Sequence, residues 1–137
     1  MDYGLPQGSV LSPVLFKFFV FDIEVLCMLY EQIEVFKFAD DGTIKVTGKD
    51  LEECLFYMNL ALSAIGDWTT QWRMVINCEV NKTEVICFNC KDISEVPKTF
   101  QLCGNVIYLT DSSKVLGITV DKQLSFKLHS QAVYNKL

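Results

Sequence analysis

The sequence predicts an α+β fold with a mostly antiparallel sheet. A hairpin pattern near residue 40, an apolar stripe at helical spacing from Leu51 to Ile65, and short β-like runs between turn signals from 84 to 120 carry that prediction. Taken in order, the elements read helix, hairpin, helix, strand, hairpin, strand and a last helix, an arrangement that segregates helices to one side of a sheet.

The first helix follows Ser12-Pro13, an N-cap with proline at the first helical position. From Val14 to Tyr30 the chain is apolar on nearly every side, but Lys17, Asp22 and Glu24 interrupt it. A membrane span needs about 18 apolar residues with few charges, so a buried helix is the better reading. Val35-Phe36-Lys37-Phe38 and Gly42-Thr43-Ile44-Lys45-Val46 then alternate as half-buried strands do, with Asp40-Asp41-Gly42 as the tight turn between them. After Gly48-Lys49, Asp50 and Glu53 form a pair like a capping box. Leu51, Leu55, Met58, Leu62 and Ile65 follow on one helix face, joined by Cys54 and Ala61. Gly66 weakens this helix late, and 68–74 either continue it or turn.

Downstream, Glu84 to Phe88 reads as a strand. Phe100–Cys103 and Val106–Leu109 read as a hairpin about Gly104-Asn105, and Lys114 to Val120 as a further strand. An amphipathic helix begins near Ser125. No internal repeat or low-complexity tract interrupts the pattern.

A chain of 137 residues is one domain or part of one, and 50% hydrophobic residues suffice for a core. The net charge of -5, from 17 acidic and 12 basic residues, argues against an autonomous nucleic-acid binder, since phosphate contacts need Lys and Arg. The sequence has six cysteines. The N-terminus opens on a polar, turn-rich stretch rather than a signal peptide, so the cysteines are expected as reduced thiols of an intracellular protein. Cys87-Phe88-Asn89-Cys90 has zinc-knuckle spacing, but a structural zinc site needs four ligands and no second pair exists. Asn81-Lys82-Thr83 matches a glycosylation acceptor, which matters only in the secretory pathway.

Asp40 and Asp41 are the leading candidates for chemistry. Adjacent carboxylates at a hairpin tip can hold hard divalent cations through oxygen, and a metal pair about 3.5–4 Å apart suits phosphoryl transfer. Alone, Asp-Asp-Gly reads more readily as a solvated turn with no chemistry, since Asp-Gly turns are common. A second segment changes that balance: Gly4-Leu5-Pro6-Gln7-Gly8-Ser9-Val10-Leu11-Ser12-Pro13 lies upstream of Phe38-Ala39-Asp40-Asp41. Together they resemble the reverse transcriptase domain, most closely that of non-LTR (LINE-like) retrotransposons. There a G-x-P-Q-G-S-x-L-S-P segment, motif B, precedes a [YF]-A-D-D segment, motif C. Trp68, Trp72, Asn77, Lys82-Thr83 and Phe88 resemble the motif D region. Residues 115–121 and 124–129 resemble motif E and the entry to the thumb.

The resemblance implies a partial polymerase palm over 1–124, with the catalytic hairpin packed on two helices, and the start of a thumb helix over 125–137. It implies RNA-directed DNA synthesis with Mg2+, on an RNA template with a DNA primer and dNTP, in the cytoplasm and nucleus and without a membrane. Asp40 is then the direct metal ligand and Asp41 a second ligand or an electrostatic partner. Phe38 lies under the primer end, while Leu116 and Gly117 form the primer-grip turn. Pro6, Gln7, Gly8 and Ser9 border the incoming nucleotide and template base, and Lys82 protonates the leaving pyrophosphate. Gly8 lets the backbone approach a ligand and Gln7 offers both donor and acceptor.

The family's further metal-binding aspartate, on a strand called motif A, has no match. Asp2 is too close to the motif B loop, and Asp22 falls within the following helix. The expectation is a metal site lacking one carboxylate, an open sheet edge beside the hairpin, and no primer extension by this chain alone without the upstream fingers and palm segment. The rival reading is a non-catalytic relic or interaction module. An RNA-templated RNA polymerase palm also uses adjacent aspartates, but the Pro6–Pro13 segment and Leu116-Gly117 argue against it.

Overall fold

The computed structural model describes residues 6, 8–25, 29–90 and 93–136. Within them the chain mixes helix and sheet, as the pattern predicts. Helix α1 is Ser12–Phe19, followed by a 3-10 turn at Phe21–Glu24; α2 is Leu51–Trp72 and α3 is Lys127–Tyr134. The strands are β1 (Ile33–Phe38), β2 (Asp41–Val46), β3 (Glu84–Val85), β4 (Thr99–Leu102), β5 (Asn105–Leu109), β6 (Ser112–Val115) and β7 (Ile118–Asp121). The chain divides into two compact units, Met1–Trp68 and Thr69–Leu137.

The first unit is built on the β1–β2 hairpin and most of α2. Ile33 pairs with Val46, Val35 with Ile44 and Lys37 with Gly42, so these positions share one face. Ile33 on that face is fully buried. Val20, Ala61, Leu62, Ile65 and Trp68 complete the core, and the rings of Phe19 and Trp68 meet edge to face at 5.9 Å. The predicted capping of α2 is present: Asp50 Oδ1 accepts the Glu53 N–H at 2.8 Å. Glu53 Oε2 in turn accepts the Lys49 N–H at 2.6 Å, one residue earlier than the standard box. Gly48 is required there, since a Cβ would stand 2.9 Å from both the backbone N and the Sγ of Cys54. The helix runs through Gly66 to Trp72, which resolves the alternative left open at 68–74.

The expected long buried helix from Val14 to Tyr30, of which 26–28 lie outside the described residues, is corrected in its first part: helix α1 ends at Phe19, carries no buried residue, and leaves Val14, Leu15 and Phe18 exposed. It also begins one residue early, with Leu11 as N-cap. Its proposed cap, Ser12, donates its hydroxyl to the Pro6 carbonyl at 2.7 Å instead. Among the described residues no helix is long and apolar enough to cross a membrane.

In the second unit β4 and β5 pair antiparallel, and β3 joins β5 in parallel. Val85, Val96, Phe100, Leu102 and Ile107 form its core. Several expectations change here. The run Lys114 to Val120 is not one strand but the β6–β7 hairpin, because Leu116 (φ 48°) and Gly117 (φ 85°) both take the left-handed conformation that a two-residue turn needs. The β4–β5 turn falls on Cys103-Gly104, one residue before Gly104-Asn105. Strand β3 stops at Val85 rather than Phe88, and the chain curls at Asn89 (φ 56°). That curl brings the Cα atoms of Cys87 and Cys90 to 6.4 Å, within the range that a disulfide spans. Among the described residues the strands form separate small sheets, β1-β2, β3-β5-β4 and β6-β7, rather than one antiparallel sheet. Each antiparallel pair is closed by its own tight two-residue turn, so hydrogen bonding is satisfied locally, hairpin by hairpin.

Candidate functional site: the Asp40–Asp41 hairpin tip

The β1–β2 register brings three of the predicted residues, Phe38, Asp40 and Asp41, to one hairpin end. Phe38 pairs directly with Asp41, which leaves Ala39-Asp40 as the two-residue turn. The turn therefore lies one position ahead of the predicted Asp40-Asp41-Gly42, and Asp41 is already the first residue of β2. Ala39 makes this possible by taking φ 53°, a left-handed conformation that costs a non-glycine residue about 1–2 kcal/mol. Phe36 and Phe38 alternate with Lys37, so they face away from the core, and Phe38 is 67% exposed. Both carboxylates are exposed, and among the described residues neither accepts a hydrogen bond nor forms an ion pair.

Lys37 points to the other face and ties the hairpin to the segment after α1. Its Nζ donates to the Val20 carbonyl and lies against Glu24 Oε1, both at 2.8 Å. With Lys37 engaged there, no cation among the described residues pairs with Asp40 or Asp41, and the tip is an acidic end beside an exposed aromatic face. Sequence reading missed Lys37. Its polar character inside an apolar strand was the available signal.

The segment before α1 is a compact turn. Ser9 N–H donates to the Pro6 carbonyl at 3.3 Å, and Ser9 Oγ accepts the Leu11 N–H at 3.3 Å. Gly8 takes φ 87°, which a side chain would oppose. Pro6 and Gly8 are exposed, whereas Gln7 lies outside the described residues.

Lys82, Leu116 and Gly117 belong to the second unit. Lys82 is exposed on a loop ordered by Asn77, whose carbonyl accepts the Thr83 hydroxyl at 2.7 Å and whose Oδ1 accepts the Glu79 N–H at 3.0 Å. Leu116 and Gly117 form the exposed β6–β7 turn. Asp121, at the end of β7, is the one buried charged side chain among the described residues, and sequence reading gave it no role. Its carboxylate is held below the ordinary aspartate range, chiefly by the Ser125 backbone N–H, with the Ser125 hydroxyl and the N–H groups of Gln123 and Phe126 adding to it. The Cys54 thiol is pushed up by burial and then by the charges of Glu53 and Asp50; the Cys78 thiol is pushed up by burial and by Cys103.

The family model of the reverse transcriptase (RNA-dependent DNA polymerase) matches residues 2–120. The "Probable RNA-directed DNA polymerase from transposon BS" of Drosophila melanogaster is 31% identical over 96% of this chain and 15% of that protein. The "RNA-directed DNA polymerase from mobile element jockey" of the same species is 28% identical over 92% of this chain and 14% of its own length. The "Probable RNA-directed DNA polymerase from transposon X-element" is 25% identical over 98% and 14%. The chain thus spans about 15% of the length of the curated relatives it matches. No solved structure matches it significantly. A family match across most of the chain, with these relatives and an Asp-Asp hairpin following a Pro-Gln-Gly-Ser turn, places the chain in the reverse transcriptase family, as a partial domain of the non-LTR, LINE-like kind.

Proposed function

We propose that this chain is the palm segment, 1–124, and first thumb residues, 125–137, of an RNA-directed DNA polymerase acting inside the cell. The observation that carries the reading is the β1–β2 end, where two unpaired carboxylates stand beside an exposed Phe38.

Asp40 and Asp41 offer hard oxygen donors, the chemistry Mg2+ prefers. Among the described residues no third His, Cys, Asp or Glu gathers with them. The pair fits part of a coordination shell, and the chain alone is expected to bind the ion weakly. When bound, Mg2+ supplies charge stabilisation for the attacking and leaving oxygens of nucleotidyl transfer.

The chain's own residues do the rest by position. Asp40, at the turn, is the direct ligand, and Asp41 sets the charge beside it. Phe38 offers its exposed ring to the last primer nucleotide, since every base presents a face to an aromatic. The Pro6–Ser9 turn lines the incoming nucleotide and template base, with Gly8 permitting close backbone approach. The Leu116-Gly117 turn holds the primer strand, and Lys82 gives a proton to the leaving pyrophosphate. RNA template, DNA primer and dNTP are the substrates.

Paramagnetic Mn2+ tests the centre of this reading. Amide resonances of 39–42 should broaden selectively on titration, and Asp40→Asn should suppress the effect. Broadening that is absent or spread evenly over all acidic residues would remove the metal site. A primer-extension assay on the isolated chain is expected to show no incorporation, and Asp40-dependent incorporation would overturn that.

A further inference from the structure

We propose that Asp121 and His129 are positioning residues that together fix the direction in which α3 leaves the β6–β7 hairpin. Burial does not anchor this helix. None of its residues is buried, and Leu128, Val133 and Tyr134 are 52%, 46% and 78% exposed. Its orientation must come from polar contacts, and those contacts lie at two separate points.

The first is the strand end. Asp121 Oδ1 accepts N–H bonds from Gln123 at 3.0 Å and Ser125 at 3.1 Å. Its Oδ2 accepts the Ser125 hydroxyl at 3.0 Å and the Phe126 N–H at 2.9 Å. The loop so gathered holds Leu124 at φ 54° and Phe126 at φ 55°, conformations that L side chains resist. Phe126 is the N-cap of α3 and makes no side-chain cap of its own. Asp121 therefore holds the loop that leads into the helix, while the first helical N–H, that of Lys127, is accepted by Ser125 Oγ at 3.4 Å; the Asp121 contacts carry the chain through two unfavourable turns. A loop with no direction to impose would relax out of them.

The second point is His129, in the first turn of α3. Its Nδ1 accepts the Thr119 N–H at 3.3 Å. In an antiparallel ladder alternate residues turn their N–H groups away from the partner strand, and Thr119, opposite Lys114, is such a residue. An imidazole from the helix thus fills a hydrogen-bonding position that a further strand would otherwise use. Nδ1 is the acceptor, so the ring proton sits on Nε2. One attachment would leave a hinge. Two, at Asp121 and Thr119 on the strand and at 125–126 and His129 beyond it, define an axis. If the proposed function holds, this axis sets how the thumb helix meets the duplex relative to the Leu116-Gly117 turn. The geometry itself stands without that reading.

Residual dipolar couplings on the 137-residue chain test the proposal. In the native chain, amides of 112–121 and 127–134 should fit one alignment frame. Asp121→Asn with His129→Leu should abolish the common frame while couplings of β4 and β5 persist. His129→Leu alone, which leaves the Asp121 loop intact, should weaken the α3 couplings, and His129→Asn, which keeps an acceptor, should restore them. Native couplings in α3 of His129→Leu would overturn the proposal, as would equal loss in His129→Leu and His129→Asn. Mn2+ broadening at 39–42 should persist in every variant, so failure of this axis and failure of the metal reading give different signals.

Discussion

Two aspartate turns in this chain use similar backbone and put it to opposite ends. At the β1–β2 end, Ala39 takes φ 53° and Asp40 stands exposed with no hydrogen bond among the described residues. After β7, Leu124 and Phe126 take φ 54° and 55°, and Asp121 is buried with its carboxylate accepting four hydrogen bonds. A carboxylate whose lone pairs are occupied by local N–H groups is part of the fold. One whose lone pairs are open is available to a ligand. Sequence shows an aspartate near a turn in both places; only the partner inventory separates them.

The comparison breaks most sharply on stability. Asp121→Ala should lower the melting temperature markedly, because several N–H groups lose their acceptor at once, while Asp40→Ala should stay within about 0.5 kcal/mol of the native chain, as exposed substitutions do. Equal effects in calorimetry would abolish the distinction. Acid gives the next largest effect. The folded-state pKa of Asp121 is lowered, so its contribution is full above the ordinary aspartate range and disappears as pH falls through the lowered folded value. Hydrogen-exchange protection at 123–126, each rate taken relative to the intrinsic rate at the same pH, should therefore fall below that range, and a loss of protection as pH rises above it would contradict the assignment. Smaller again is the response of the open turn to metal: Asp41→Asn should weaken Mn2+ broadening at 39–42 but leave more of it than Asp40→Asn. The reverse ranking would exchange their roles. The smallest effect is on the backbone. Ala39→Gly should stabilise the chain by up to about 1 kcal/mol in denaturant titration, relief of the left-handed strain exceeding the entropy glycine adds to the unfolded state. Destabilisation would mean that the alanine methyl packs at the tip.

Helix α2 was legible because each signal in it is local: an Asp50–Glu53 cap, and apolar residues spaced to share one face. The β1–β2 hairpin was legible for the same reason, although its turn shifted by one residue once Ala39 accepted an unusual φ. The candidate metal residues were readable as types and spacing. The β6–β7 hairpin was not legible from the strand pattern of Lys114 to Val120, which gives no sign that leucine will enter the left-handed region beside Gly117; only the family resemblance, which made Leu116-Gly117 a turn, pointed to it. Helix α1 was overread, since apolar composition reports what could be buried and not what is.

Residue order alone determined the family segments, the adjacent Asp40 and Asp41, the alternation that turns Phe38 outward and the helical stripe of α2, because each depends on neighbours within a few positions. Tertiary structure alone decided that Lys37 reaches Val20 and Glu24, that His129 meets Thr119, and that Asp121 is closed while Asp40 is open. Those outcomes depend on where groups 5 to 17 residues apart come to lie, a quantity set by the folded path of the backbone and not by the identity of any one side chain.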